Sequence, residues 1–318
     1  MAGRDQLSLA EALMAPKLGR NDRLDKIAAA VKRYRFEKLL RRLAPEGPGR
    51  PPFDPLLMLK GLLLQQWYAL SDAGLEEALN DRMSFRRFCG LPLAAAAPDH
   101  TTICRFRERL RAASLLDKLF AEFERQLEGA GLILKRGTMV DASLVEAARV
   151  RPRRGEEDEA GDPDAAFARR EGRPGSTYGY KAHVGVDQGS LLIRAVKLTP
   201  ANVNETSVAD ALIRFDEKAV YADKAYASAA RRRRLRSHGI KDRIMHKSWG
   251  GGPPLTASQK RHNGLIAPIR AAVETVFATL KRRMAYARVR YVGLAKNEAH
   301  LTLLGLAYNM RRAAVLAP

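Results

Sequence analysis

The feature that most constrains this fold is a change of hydrophobic period near Gly131. Before it, apolar residues recur at helical spacing. After it, short β-branched runs alternate with helical stretches, a pattern that needs a sheet covered by helices rather than a bundle. In the first part, Asp22 to Leu43 places Leu24, Ile27, Ala28, Val31, Tyr34, Phe36 and Leu39 close to a helical period. Gly47-Pro48-Gly49-Arg50-Pro51-Pro52 breaks that helix. Asp54-Pro55 then opens another, as N-cap and first-turn proline. The run from Pro55 to Leu70 is apolar nearly all round, which buries it either inside a helical bundle or against a second subunit. A further helix is expected from Ser71 to Phe88, ended by Gly90. Asp99-His100-Thr101-Thr102 caps Ile103 to Arg111, and Leu115 to Leu127 is amphipathic.

In the second part, Thr138 to Val145 reads as a strand and the charged, Gly/Pro-rich Arg151 to Thr177 as a mobile loop. Tyr180 to Val186 and Leu191 to Leu198 flank the hairpin signature Asp187-Gln188-Gly189-Ser190. A helix from Asn204 to Phe215, a strand from Ala219 to Asp223, a basic helix over Arg231 to Arg236 and a strand near Asp242 to His246 follow. After a loop at Gly250 to Pro254 the chain is helical, with one helix from Pro268 to Met284 and another around Leu301 to Leu306. The expected architecture is α plus α/β: a helical domain over residues 1–130, then a mixed-sheet domain over 131–318.

Charge narrows the partner. Of 318 residues, 56 are Lys or Arg and 35 Asp or Glu, a formal net charge of +21. Such an excess favours a polyanion, either nucleic acid or an anionic membrane. The start has no apolar run of signal-peptide type, and the apolar stretch ending at Leu70 is interrupted by Lys60, Gln65 and Gln66. No membrane association is expected, so the polyanion is nucleic acid. Cys89 and Cys104 match no zinc or disulfide pattern and read as reduced core thiols of a cytoplasmic protein.

Three acids stand out by context. Asp141 lies inside an apolar strand, where an unpaired carboxylate is costly. Asp223 ends the strand Val220-Tyr221-Ala222, and Glu274 sits on the Pro268–Met284 helix. Arg270 and Lys281 share its face, because four and seven residues return to within ~40° at 3.6 residues per turn. Two readings stay open on these residues alone. The acids could converge on a pair of Mg²⁺ ions, with Arg270 and Lys281 holding phosphates beside them. Or Asp141 caps a turn, Asp223 closes a strand and Glu274 pairs with Arg270 on the surface. Asp187 fits a hairpin turn better than a catalytic role, Glu146 lies near Asp141 without a motif, and His183 has no second ligand at metal spacing.

Several stretches resemble bacterial DDE-type insertion-sequence transposases of the insertion-sequence-five group. Gly49-Arg50-Pro51-Pro52-Phe53-Asp54-Pro55-Leu56-Leu57-Met58-Leu59-Lys60, Ser84-Phe85-Arg86-Arg87-Phe88-Cys89-Gly90-Leu91, Pro98-Asp99-His100-Thr101-Thr102 and Phe106-Arg107 resemble the helical N-terminal domain of that group. Val140-Asp141-Ala142 and Tyr178-Gly179-Tyr180-Lys181-Ala182-His183-Val184-Gly185-Val186-Asp187 resemble the region of its first catalytic acid. Ala222-Asp223-Lys224-Ala225-Tyr226 resembles that of the second. The third signature is Tyr, two residues, Arg, three residues, Glu, six residues, Lys. Arg270, Glu274 and Lys281 match it, with Ala267 at the tyrosine position.

The resemblance covers residues 45 to 312 and implies a ribonuclease-H-like catalytic domain. It implies a transposase that binds terminal inverted repeats of double-stranded DNA, cuts there and joins 3′-hydroxyl ends to target DNA. Asp141, Asp223 and Glu274 would be catalytic and hold Mg²⁺, with Mn²⁺ able to substitute. Arg270, Lys281, Arg282 and Arg283 would bind DNA. The residues themselves leave two readings of the N-terminal helices: Ser71–Phe88 and Thr101–Arg111 form a helix-turn-helix with DNA-binding Arg105, Arg107 and Arg109 on its second helix, across a Cys89–His100 connection longer than the usual turn, or they belong to a plain helical bundle with a solvated basic face. The Arg231–Arg236 run is either a solvated helix face or a phosphate track. A homodimer on DNA and a nucleoid-associated location follow from the same reading. Two other classes remain: a non-catalytic DNA-binding regulator, and a structure-selective nuclease of the same fold.

Overall fold

The computed structural model describes residues 19–43, 52–149, 161–169, 175–248 and 253–317. The expected break at 47–51, residues 151–160 and 170–174 of the expected mobile loop, and residues 250–252 of the later loop lie outside them. The chain divides into two compact units, residues 1–126 with 313–318, and residues 127–312.

In the first unit the helices are α1 (Asp22–Ala29), α2 (Arg33–Leu40), α3 (Pro55–Trp67), α4 (Asp72–Asp81), α5 (Met83–Cys89), α6 (His100–Ala112) and α7 (Leu115–Gly129). Asp54 accepts from the backbone N–H groups of Leu56 and Leu57, and Asp99 from that of Thr102, so both expected N-caps form. Gly90, at φ +79°, ends α5. Helix α3 is buried on nearly every side, packed by α2, α4, α5 and α6, which is the bundle alternative.

Two single helices expected from periodicity are each broken. Lys32 leaves helical geometry between α1 and α2. There its N–H donates to Gln126 Oε1 at 2.8 Å, and Gln126 Nε2 donates back to its carbonyl at 3.4 Å. Of the expected stripe Leu24, Ile27 and Phe36 are buried, but Tyr34 is exposed, and Leu40 takes the core position expected of the half-buried Leu39. The second break is at Arg82, between α4 and α5. Beyond it, buried Arg86 donates to the carbonyls of Leu79, Pro92, Leu93 and Ala95, tying α5 to the following connection. Cys89 is a core thiol, which burial pushes up to about 12, but Cys104 is exposed on α6.

The rest of the chain forms β1 (Thr138–Glu146), β2 (Ala166–Arg169), β3 (Ser176–Asp187), β4 (Ile193–Pro200), α8 (Glu205–Val208), β5 (Ala219–Ala222), α9 (Ala229–Ser237), β6 (Lys241–Ile244), α10 (Ala257–Arg283) and α11 (Leu294–Leu316). One six-stranded mixed sheet runs in the order β2-β3-β1-β5-β6, with β4 also paired to β3. β1 is antiparallel to β3 and parallel to β5, and β5 is parallel to β6. The hairpin joining β3 and β4 turns at the expected residues. Asp187 is fully buried there, accepting from the Ser190 hydroxyl at 2.6 Å and from the N–H groups of Leu134 and Lys135.

Three expectations change. The stretch read as a mobile loop contains β2, whose Phe167 ring lies 4.8 Å from Tyr178. Just before β2, Asp162 and Asp164 accept from the N–H groups of Gly293 and Leu294 at the start of α11. The helix expected over 204–215 is only α8 and a 3₁₀ turn, because Ala209, Leu212 and Ile213 drop into the core beneath the sheet. Helix α10 begins eleven residues before Pro268, at a capping box formed by Thr256 and Gln259, with Pro268 inside it. Val140, Val220 and Ala222 join Leu235 of α9 and Ile244 of β6 in one core cluster. Val273, Val276 and Leu280 bury the apolar stripe of α10, which packs on β1 and β5.

Candidate active site

Parallel pairing sets Val140 of β1 opposite Ala222 of β5, so Asp141 and Asp223 are the next residues along two neighbouring strands. β5 ends at Ala222, and Asp223 caps the following 3₁₀ turn by accepting from Lys224 N–H at 2.6 Å. Helix α10 crosses beside them. Arg270 Nη1 donates to Asp141 Oδ2 at 3.0 Å, and its Nη2 lies 3.9 Å from Glu274 Oε1 one turn on. Asp141 Oδ1 accepts from Ala142 N–H at 2.9 Å. Farther along α10, Lys281 Nζ donates to the Leu144 carbonyl at 2.6 Å. The face shared by Arg270 and Lys281 therefore lies along β1, as helical spacing requires.

Asp141 has the most altered acidity of the three acids. Its side chain is 17% exposed. Burial pushes the carboxyl up to about 6, against the opposing pull of the Arg270 guanidinium, and Asp223 and Glu274 add repulsion. The three sequence-separated acids and Arg270 thus share one electrostatic neighbourhood. They do not form a ready-made cation cage: no group of three or more His, Cys, Asp or Glu side chains among the described residues is gathered closely enough for one. Tyr226 had no signal of its own in the sequence. It is fully buried beside the acids, with no hydrogen-bond partner for its hydroxyl. Burial, then the charges of Asp141, Glu205 and Asp223, pushes its phenol well above the ordinary range.

The other candidates separate by exposure. Arg282 and Arg283 are exposed at the end of α10. Arg105 and Arg109 are exposed on α6, where Arg109 donates to the Leu43 carbonyl. Arg107 is a correction: it is buried and gives Asp72 two hydrogen bonds, at 2.8 and 2.5 Å, so its charge holds α6 to α4. The basic run of α9 is also divided. Arg231 is buried and donates to Asp210, Tyr226 and Thr206, and Arg232 donates to Asp242, whereas Arg233, Arg234 and Arg236 are exposed. Glu146 pairs with Arg288 at 2.9 Å at the far end of β1. His183 is buried against Thr199 Oγ1 at 2.9 Å, and burial pushes it down to about 4, leaving a neutral imidazole.

Residues 133–310, more than half of the chain and all three acids among them, match the family described as the transposase DDE domain. The chain belongs to the DDE transposase family. Residues 13–109 match a second transposase domain. The architecture of this DDE transposase is accordingly a helical N-terminal region followed by a mixed-sheet domain of the DDE transposase fold. Among solved structures, the piggyBac transposase synaptic complex with hairpin DNA is 14% identical, with 98% of this chain and 76% of that chain covered and a TM-score of 0.45. The Mos1 strand transfer complex is 15% identical, with 85% and 81% covered and a TM-score of 0.21. Family membership rests on the domain matches. No helix among the described residues is long and apolar enough to cross a membrane.

Proposed function

We propose that this DDE transposase, of the insertion-sequence-five group, binds the terminal inverted repeats of its element, cleaves them and transfers the 3′-hydroxyl strands into target DNA. The observation that carries the proposal is the electrostatic neighbourhood shared by Asp141 on β1, Asp223 just past β5, and Arg270 and Glu274 on α10, with Arg270 held 3.0 Å from Asp141. A bland surface pair between Arg270 and Glu274 does not account for a buried Asp141 as the nearer partner of Arg270. Both reactions are in-line displacements at phosphorus. In cleavage, water forms the new P–O bond and the 3′ oxygen leaves and takes a proton; in joining, the freed 3′-hydroxyl loses its proton and forms a P–O bond to a target phosphate, whose bond to the target 3′ oxygen breaks, that oxygen leaving with a proton.

Three carboxylates offer only hard oxygen donors, which fits Mg²⁺ and admits Mn²⁺. Asp141, Asp223 and Glu274 would hold it. When bound, the metal supplies charge neutralisation and activation of the attacking oxygen. The chain's own part is to orient the scissile phosphate, with Arg270 as a two-pronged phosphate ligand and exposed Arg282 and Arg283 tracking the backbone. Exposed Arg105 and Arg109 are the DNA contacts proposed for the helical region, residues 1–130, with residues 131–318 as the catalytic domain. Two ends must be held together, so the working form proposed is a homodimer on DNA.

An end-bearing DNA substrate with Mg²⁺ tests the reading. Asp223→Asn and Glu274→Gln should each abolish cleavage and leave DNA affinity within a few-fold of wild type. Retained cleavage in either variant refutes the assignment, and metal-independent DNA binding without cleavage by the wild type favours a regulator. Sedimentation of the end complex at one subunit per pair of ends would refute the dimer.

A further inference from the structure

Resting on the proposed metal-dependent site, we infer that Arg270 competes with the divalent cation for Asp141, and that a DNA phosphate is what draws it away, so that the site takes metal efficiently only with DNA in place. Both carboxylate oxygens of Asp141 are engaged by this chain's own donors, Oδ2 by Arg270 Nη1 at 3.0 Å and Oδ1 by Ala142 N–H at 2.9 Å. A divalent ion on Oδ2 would sit beside a guanidinium that carries charge of the same sign and cannot lose it. Arg270 Nη2 also lies 3.9 Å from Glu274 Oε1, too far for a hydrogen bond. It therefore balances the acids without bridging them tightly.

The guanidinium is not fully satisfied where it lies. Its Nε–H is buried and has no hydrogen-bond partner. Guanidinium presents a planar fork suited to two oxygens of one anion, and Asp141 takes only one prong. A backbone phosphate would fill the fork. The side chain is 19% exposed, so it has a path to solvent. Lys281, the other cation on this face, donates to the Leu144 carbonyl, which leaves Arg270 as the charge that moves. Moving it leaves three carboxylates with unbalanced charge, and the divalent cation then binds without a like-charged neighbour. By linkage, metal must tighten DNA as much as DNA tightens metal.

The test uses the full chain and Mn²⁺ as probe, with free Mn²⁺ counted by electron paramagnetic resonance, with and without a short random-sequence duplex. Asp141→Asn defines the Mn²⁺ bound at the site, because the duplex itself binds the ion. In wild type, duplex should tighten the Asp141-dependent binding by about 5–150-fold. Arg270→Gln should show that tighter binding without DNA, and duplex should add nothing further. Arg270→Lys, which keeps the charge but loses the fork, should stay weak without DNA. Equal Asp141-dependent affinity with and without duplex, taken as the difference between wild type and a folded Asp141→Asn, overturns the proposal. So does Arg270→Gln binding Mn²⁺ no better than wild type, given an unchanged circular dichroism spectrum. In both cases Asp141-dependent binding persists and the metal-site reading stands. Absence of any Asp141-dependent Mn²⁺ binding, with DNA or without, defeats that reading and the inference with it.

Discussion

Asp141 sits where ionisation is unfavourable even with Arg270 beside it, because burial in an apolar strand outweighs the pull of the guanidinium. Its folded pKa of about 6 lies above the ordinary 3.8, so the folded chain binds the proton more tightly than the unfolded one. The protonated group adds stability below the unfolded value, and that stability is lost as pH rises through about 6. Asp141→Asn should therefore match wild type at about pH 3.5, below the unfolded value, and be more stable at about pH 8, above the folded one, by at most about 3 kcal/mol. Denaturant melts at both pH values check this, and a variant less stable than wild type at pH 8 contradicts it. Arg107 makes the opposite prediction. Its removal takes from Asp72 its charged partner between α4 and α6, leaving the Gln65 Nε2 donor at 2.6 Å, and should cost about 1–3 kcal/mol, read as a lower denaturation midpoint. The salt slope of DNA binding should not change, because this charge faces inward.

At the scale of elements, local chemistry was legible and tertiary chemistry was not. Asp54, Asp99 and Gly90 mark helix ends because each acts on backbone within four residues. The breaks at Lys32 and Arg82 are held by Gln126 and Arg86, whose partners are distant or lie in connecting backbone, so periodicity ran through them. The β2 strand was hidden because its four residues sit among charged and Gly/Pro-rich neighbours, with only Phe167 as an apolar signal. The acids were legible because a charged residue after an apolar strand is conspicuous, and the family blocks ordered them. Tyr226 stands in the second-acid block of the sequence, but its burial beside the acids shows only in the fold. Gly185 carries a further prediction. A Cβ there would lie 2.4 Å from the Leu212 carbonyl oxygen, so the turn after α8 can approach β3 only at glycine. Gly185→Ala should cost about 1–3 kcal/mol by thermal or denaturant melting. An unchanged midpoint would show that the turn yields freely.

For the whole molecule, a net charge of +21 means little until the structure says which cations face outward. Arg107, Arg231 and Arg232 are committed to acids of their own units. Arg233, Arg234, Arg236, Arg282 and Arg283 are exposed, on the unit that carries the acids. DNA affinity should accordingly fall steeply with salt, and Arg283→Ala should shallow the slope by about one unit for every DNA sequence alike. A slope near zero by fluorescence anisotropy would contradict this. The central claim is that Asp141, Asp223 and Glu274 are one phosphoryl-transfer site. Anomalous diffraction from Mn²⁺ in crystals of the end-DNA complex tests it most directly. Mn²⁺ should be bound among Asp141, Asp223 and Glu274 beside the scissile phosphate, with Arg270 turned onto DNA. Ordered Mn²⁺ held elsewhere, with Arg270 still on Asp141 beside a bound DNA end, would contradict it.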